Sequence, residues 1–373
     1  MQKSSNASNE KNMNKPLISV IFAAYKDAGF IEENYLKLSR SKVKSEFIVA
    51  ADEPKPHLEF LLKKYSFKVC LSWKRRGKWR ALNEATRVAE GKYLLFIDAD
   101  TKLISSLDDI VKALENYDAI EIRKEISGNS ILEKLVNIDY LNMFAVAKIS
   151  EKLNSCLGLN GAAFAIKKEV FYALDGFRNV INEDTDLGIR LGLKGYRFGT
   201  AGKAETTCPK TIREWVLQRE RWATGGAQAI LNSLTDLAKK PVLWMPALYL
   251  IFPAVVAFIL NNIVTGDVLT KIVYLILPLV LCLPQKVLFL VLFLLFQERM
   301  IKNAIVGIVT FTVWAIVEVF AAKKLEWKIS YLLLPAFYFV YSPAWLVLSF
   351  VALLRVSMLK LAGKSIKIKN WNP

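Results

Sequence analysis

Asp98-Ala99-Asp100 directly follows the apolar run Tyr93–Ile97, and two carboxylates one residue apart at the end of such a run suit a hard divalent cation. Mg2+ or Mn2+ commonly takes one or two carboxylates and fills its shell with substrate phosphates and water. Alternate residues of an extended segment face opposite sides, so one acid can meet a metal while the other meets a sugar hydroxyl or a backbone group. Glu183-Asp184, preceded by Asn182, opens the helix-like stretch Thr185–Lys194. Two readings are open there: acids favoured by the helix dipole, or a general base that takes the proton of an acceptor hydroxyl. Gln218, Arg221 and Trp222 are spaced i, i+3 and i+4 within Thr211–Leu231 and share one helical face. An arginine can grip a diphosphate and an indole can stack on a sugar. The same segment also reads as an amphipathic helix on a membrane surface, and Arg213, Arg219 and Arg221 would serve either reading. Arg75-Arg76-Gly77-Lys78, with Asn83 beyond, is either a solvated basic loop or a source of cations for leaving-group charge.

The elements that must position these groups alternate along the chain. Strand-like runs at Leu17–Phe22, Glu46–Ala50, Phe67–Leu71 and Tyr93–Ile97 alternate with helical stretches around Phe30–Leu38, Leu58–Tyr65 and Ala81–Ala89. Such alternation predicts βαβ units, hence an α/β fold with a mainly parallel sheet covered by helices on both faces. Ligands of these sheets bind beyond the carboxyl ends of the strands. Three of the predicted ends carry acids: Asp27, Asp52 and the Asp98/Asp100 pair. One acid after a strand is an ordinary turn former, whereas three at one sheet edge point to a site. Gly158-Leu159-Asn160-Gly161, ahead of the strand-like Ala162–Ile166, reads as a turn.

Composition divides the 373 residues at Lys239-Lys240-Pro241. Hydrophobic residues make up 53%, and the excess is concentrated between Pro241 and Val356. The expected organisation is a polar tail (1–15), a cytoplasmic α/β domain (16–240), about four membrane helices (241–356) and a basic cytoplasmic tail (357–373). Val242–Ile263, Ala304–Ala322 and Tyr331–Val356 are each long enough to span, the last with Pro335 and Pro343 inside it. Val268–Phe296 is one tilted helix or a broken pair, interrupted by Pro284-Gln285-Lys286. Lys271, Lys286 and Glu318 lie near span ends, where snorkelling suits them. The net charge of +17 fits either nucleic acid or anionic lipid. The apolar spans favour lipid, and no nucleic-acid partner is expected. The first residues lack an apolar core, so no signal peptide is expected, and Arg355, Lys360, Lys364, Lys367 and Lys369 suit a cytoplasmic end. Cys70, Cys156, Cys208 and Cys282 have no zinc-type spacing and read as free thiols, and the single His57 excludes a histidine-cluster metal site.

The motif order resembles glycosyltransferase family 2, in particular its membrane-integrated synthases of hyaluronan, cellulose or chitin-like chains. The matching pieces are Ser19–Asp27, Ala50–Asp52, Gly77-Lys78 through Asn83, Asp98-Ala99-Asp100, Glu183-Asp184, and Gln218-Arg219-Glu220-Arg221-Trp222 in the QxxRW pattern. The resemblance implies a GT-A domain followed by a C-terminal helical transmembrane region. It implies that Asp27 and Asp52 contact the nucleotide, helped by Lys78, that Asp98 lies beside the diphosphate or sugar, and that Asp100 holds Mg2+ or Mn2+. Asp184 would be the base, supported by Glu183. Gln218, Arg221 and Trp222 would border donor diphosphate and acceptor, and Asn160 and Gly161 would approach the acceptor. The expected activity is metal-dependent, inverting transfer of a hexose-type sugar from a UDP- or GDP-linked donor to a growing polysaccharide at the cytoplasmic face of the cell membrane. Transfer of one sugar to a polyprenyl phosphate or glycolipid is the alternative, and a non-catalytic membrane scaffold a further one.

Overall fold

The structure is a computed structural model that describes residues 15–264 and 285–366. Cys282, Lys271, Lys367, Lys369, most of the 1–15 tail and much of Val268–Phe296 lie outside the described residues. The contacts gather into two compact units. One runs to Pro246 and takes up the chain again from Phe339; the other is Ala247–Tyr338.

The first unit is built on an eight-stranded sheet in the order β3-β2-β1-β4-β7-β6-β8-β5. The strands are β1 (Ile18–Tyr25), β2 (Ser45–Asp52), β3 (Lys68–Ser72), β4 (Tyr93–Asp98), β5 (Thr101–Leu103), β6 (Ala119–Ile126), β7 (Ala163–Lys167) and β8 (Phe198–Thr206). Between the first four run α1 (Ile31–Leu38), α2 (Pro56–Lys64) and α3 (Lys78–Val88). There the sheet is parallel, as the alternation predicts. The other half is mixed: β7 is antiparallel to both β4 and β6, β5 is antiparallel to β8, and only β6 and β8 run together. The expectation of a mainly parallel sheet therefore holds for one half only. There β7 enters the sheet between β4 and β6 after the long helical link Ile131–Lys152, and runs against both neighbours.

β1 reads ISVIFAAY with almost no polar break because both its faces are covered. Val20 and Phe22 pack with Ile31, Leu38, Leu58 and Leu61 on one side. On β4, Phe96 stacks on Phe164 at 4.9 Å and meets Phe177 edge-on at 5.2 Å. Each fully buried ring of this kind is worth roughly 1.5–3 kcal/mol over exposure. α4 (Leu107–Asn116), α5 (Ile131–Lys152), α6 (Lys168–Ala173), α7 (Glu183–Leu193), α8 (Ile212–Asn232) and the short α9 (Leu234–Ala238) complete the continuous part. α8 starts where its sequence says it should, with Thr211 and Glu214 forming a reciprocal capping box. Along α8 lies α12 (Ser342–Leu361), which belongs to the same unit, and Arg355 on it reaches Glu220 at 3.2 Å.

The second unit holds α10 (Leu248–Val264) and α11 (Gln285–Lys324). α11 runs unbroken through the polar stretch Gln297–Lys302, which contains neither proline nor glycine. Two described helical segments are long and apolar enough to cross a membrane, Asn303–Lys324 and Tyr331–Leu361, whereas Met245–Leu260 is shorter. The second of them is interrupted by a π-type turn at Phe337–Tyr341, between Pro335 and Pro343. Glu318 does not snorkel to a span end: it is fully buried and accepts from the Tyr249 hydroxyl at 3.3 Å.

Candidate active site

The register of the central strands brings the predicted acids to one edge. Tyr25 of β1 stands opposite Asp52 of β2, and Ala23 stands opposite Asp98 of β4. β2 and β4 flank β1 although β3 intervenes in sequence, so this edge is a topological switch point, where open α/β sheets bind ligands. The Asp98–Asp100 turn is held by its backbone. The Asp98 amide donates to the Ala162 carbonyl (2.9 Å), the Ala99 amide to Ala23 (3.0 Å), and the Phe30 amide to Ala99 (2.7 Å). Gly29, at φ +49°, makes the last contact possible, since a Cβ there would sit 2.1 Å from the Ala99 oxygen.

Lys78 is the centre of charge. Gly77, at φ +91°, turns the chain into α3 and projects Lys78 from its first turn. Its ammonium lies 2.7 Å from Asp98 and 3.5 Å from Glu183. Burial works against this charge, but Asp98, Glu183 and Asp184 outweigh it and raise the Lys78 pKa. Glu183 is 6% exposed. Burial pushes its carboxyl up to about 7 against the pull of Lys78, with Asp184 and Asp98 adding to the rise. Asp184 is only partly buried, the more open member of the pair. Its Oδ2 accepts from the Gly161 amide (2.6 Å) and its Oδ1 from the Thr185 amide (2.7 Å). Neither contact is the N-cap bond of the simpler reading, since no side chain caps α7.

Asp100 tests whether a metal fits. The residue is exposed, but protein crowded around its carboxyl, and then the Asp98 charge, push it up to about 6. No described group of three or more His, Cys, Asp or Glu could hold a metal by itself. Two hard oxygen donors with surplus negative charge and an open side suit Mg2+ or Mn2+ completed by diphosphate and water. The chemistry of these two carboxylates fits such an ion.

The remaining predicted residues divide. Asp27 lies exposed near the end of β1, paired with Lys55 at 2.9 Å. Asp52 is 5% exposed and engaged by Arg76, whose amide donates to Oδ2 (2.7 Å) and whose Nε donates to Oδ1 (2.8 Å). Arg76 also bonds Glu84 and the Cys70 carbonyl, so it is a packed strut and not a solvated loop residue. Gly161 joins the Asp184 cluster directly through its amide, whereas Asn160 bonds Glu121 and Lys124 instead. Gln218, Arg221 and Trp222 are partly buried on α8, and the Trp222 carbonyl accepts from the Asn182 side chain (3.1 Å), anchoring the residue before Glu183.

Arg219 departs from the surface-helix expectation. It is 1% exposed, lies 2.7 Å from Asp139 and donates to the Tyr341 hydroxyl at 2.9 Å. Its guanidinium sits 4.6 Å from the Trp222 ring and 5.1 Å from Trp345. The signal was the i, i+4 stripe Trp215, Arg219, Ala223, Ala227, every member of which is buried. Glu121 and Lys124 were missed as well. In the sequence Lys124 falls on the same alternation as Ile120, Ile122 and Ile126, a cation in an otherwise apolar series.

A family model described as glycosyl transferase family group 2 matches residues 93–358. Poly-beta-1,6-N-acetyl-D-glucosamine synthase of Staphylococcus aureus is 26% identical over 238 residues, which cover 60% of this chain and 57% of that protein. The Staphylococcus epidermidis protein of the same name is 25% identical over the same length. The alignment thus spans little more than half of these relatives. Among solved structures, a mannosyltransferase from Pyrobaculum calidifontis, determined with GDP-Man and Mn2+, superposes with a TM-score of 0.50 at 20% identity, covering 79% of this chain and 87% of that one. That likeness identifies the fold as GT-A. The match over residues 93–358 takes in most of the sequence, and the chain belongs to glycosyl transferase family group 2.

Proposed function

We propose that this chain is an inverting glycosyltransferase that moves a hexose-type sugar from a nucleoside diphosphate donor to a growing polysaccharide at the cytoplasmic face of a membrane. The observation that carries the reading is one sheet edge on which a partly exposed carboxylate, Asp184, stands beside an ammonium, Lys78, that bridges Asp98 and Glu183. Asp184 takes the proton of the acceptor hydroxyl, and that oxygen bonds to the anomeric carbon from the side opposite the leaving group. The bond from the anomeric carbon to the diphosphate oxygen breaks with its electron pair, and the nucleoside diphosphate departs. Lys78 and Arg221 face the developing negative charge, worth most where water is excluded. A divalent cation at Asp100, when bound, neutralises diphosphate charge as a Lewis acid. Asp27 and Asp52 border the nucleotide, Gln218 and Trp222 the diphosphate and acceptor, and Asn160 and Gly161 the acceptor. The partially aligned polysaccharide synthases support a polymer product, and the Asn303–Lys324 and Tyr331–Leu361 helices support a membrane setting.

Purified protein in detergent, given a panel of UDP- and GDP-sugars with Mn2+, Mg2+ or EDTA, should release nucleotide from one donor in a metal-dependent way. Asp100→Asn and Asp184→Asn should abolish that release. Sizing the product then decides the acceptor: long chains support the polymer reading, and strictly single additions to lipid extract would replace it with the lipid-acceptor one.

A further inference from the structure

Asp184 does not hold its place by itself. Its Oδ2 rests on the Gly161 amide, in a loop that belongs to no ladder, and the residue before it, Asn160, is held by a buried ion pair on β6. The Asn160 amide donates to Glu121 Oε2 (3.2 Å), and the Asn160 carbonyl accepts from Lys124 Nζ (3.0 Å). Lys124 also donates to the Ala163 carbonyl (3.1 Å) and stands 3.7 Å from Glu121. A register shift between Glu121 and Arg123 is what brings residues three apart onto one side of a strand. The two side chains are 8% and 2% exposed. Buried backbone groups need partners, but neutral ones or water suffice. Placing two ionisable groups there adds a desolvation cost that packing does not require. The loop transmits position without slack. A Cβ on Gly161 would sit 2.4 Å from Asp184 Oδ2, and a Cβ on Gly188 of α7 would sit 2.4 Å from the Gly158 carbonyl carbon.

We propose that Glu121 and Lys124 are positioning residues that clamp the Asn160–Gly161 loop and so set the place and field of the Asp184 carboxylate. This rests on Asp184 acting as the base. The charged groups facing Asp184 are Lys78 from α3, Glu183 beside it, and Glu121 and Lys124 from β6, with Asp98 adjoining Lys78. Taking away the β6 cation disfavours negative charge on the Asp184 carboxylate, and taking away the β6 anion favours it. The two variants therefore shift the acid limb of activity in opposite directions, which loss of packing alone does not do.

The test compares full-length wild type, Glu121→Gln, Lys124→Met and Asp184→Asn in detergent. Readouts are kcat against pH, nucleoside diphosphate affinity and the thermal midpoint. Glu121→Gln and Lys124→Met should lower kcat by on the order of 10- to 100-fold with nucleotide affinity kept, since a small misplacement of a reacting group costs that much. The acid limb should move to higher pH in Lys124→Met and to lower pH in Glu121→Gln, each by about half a unit or more. Wild-type kcat and limbs in both, beside an inactive Asp184→Asn, would overturn the clamp and leave the base intact. Parallel loss of activity, nucleotide affinity and thermal midpoint in the near-isosteric Glu121→Gln would overturn it too. If Lys124→Met does not fold, Glu121→Gln alone decides. Wild-type kcat in Asp184→Asn would remove the underlying reading instead, and this one with it.

Discussion

Two cations in the first unit, one buried and one half-buried, are treated in opposite ways. Arg219 meets one carboxylate, Asp139, and is walled in by Trp215, Trp222, Tyr341 and Trp345. Lys78 meets Asp98 and Glu183, feels Asp184, and has Asp100 two residues beyond Asp98. The first cluster is matched charge for charge and sealed; the second is short of positive charge and open at Asp184 and Asp100. A closed account of this kind marks a strut. An unfinished one marks a place where a cation and a charged substrate complete the balance.

The contrast is breakable, beginning with the largest effect. Asp184→Asn should cut turnover by about 1000-fold or more while the thermal midpoint holds, because a general base is lost without a change of shape. A steady-state assay beside a melting curve checks both halves. Arg219→Met should do the reverse, leaving Asp139 buried and unpaired. It should cost about 3–5 kcal/mol of stability, read by denaturant unfolding, with turnover per folded molecule little changed. If it instead abolished turnover in a fully stable protein, the strut would be part of the chemistry. Gly161→Ala forces a methyl group against Asp184 Oδ2, and turnover should fall by up to about 100-fold with nucleotide binding intact.

The smallest effect concerns neither cation and calibrates both. Burial alone would raise the Glu46 carboxyl, but Lys68, Ser19 and the Glu90 amide together hold it below its usual 4.5. A depressed carboxylate stabilises above its unfolded pKa, and this gain is lost as pH falls through the folded value. Glu46→Gln should thus lower stability by about 1 kcal/mol at pH 7, and the gap to wild type should close as pH drops below about 4.5. Unfolding curves between pH 7 and 3 would show it.

The difference between the halves of the sheet also explains what could be read from sequence. β1, β2 and β4 are continuous apolar runs ending in Tyr25, Asp52 and Asp98, and both strands and acids were legible. β6 carries Glu121, Arg123, Lys124 and Glu125 among its isoleucines, and β5 is three residues long. Neither gives a clean period, because a register shift in one and brevity in the other remove it. Lys78, Asp98, Glu183, Asp184 and Gly161 converge as their order along the chain suggested. The burial of Arg219 went unread because the face with chemical side chains, Gln218, Arg221 and Trp222, outweighed the stripe next to it. The Glu121–Lys124 clamp depends on a bulge, which no spacing rule reveals.

α12 has a consequence for how the molecule comes into being. The unit that contains Asp184 is interrupted in sequence by Ala247–Tyr338, so Tyr341 emerges from the ribosome only after that whole segment. At about 5–20 residues per second, Arg219 spends on the order of ten seconds without its tyrosine partner. During that interval α8 exposes a surface meant to be covered by α12. Emergence of α12, and not completion of the sheet, is the event that finishes this unit. A chain halted near Lys240 would be left with Arg219 short of a hydroxyl and Glu220 short of Arg355.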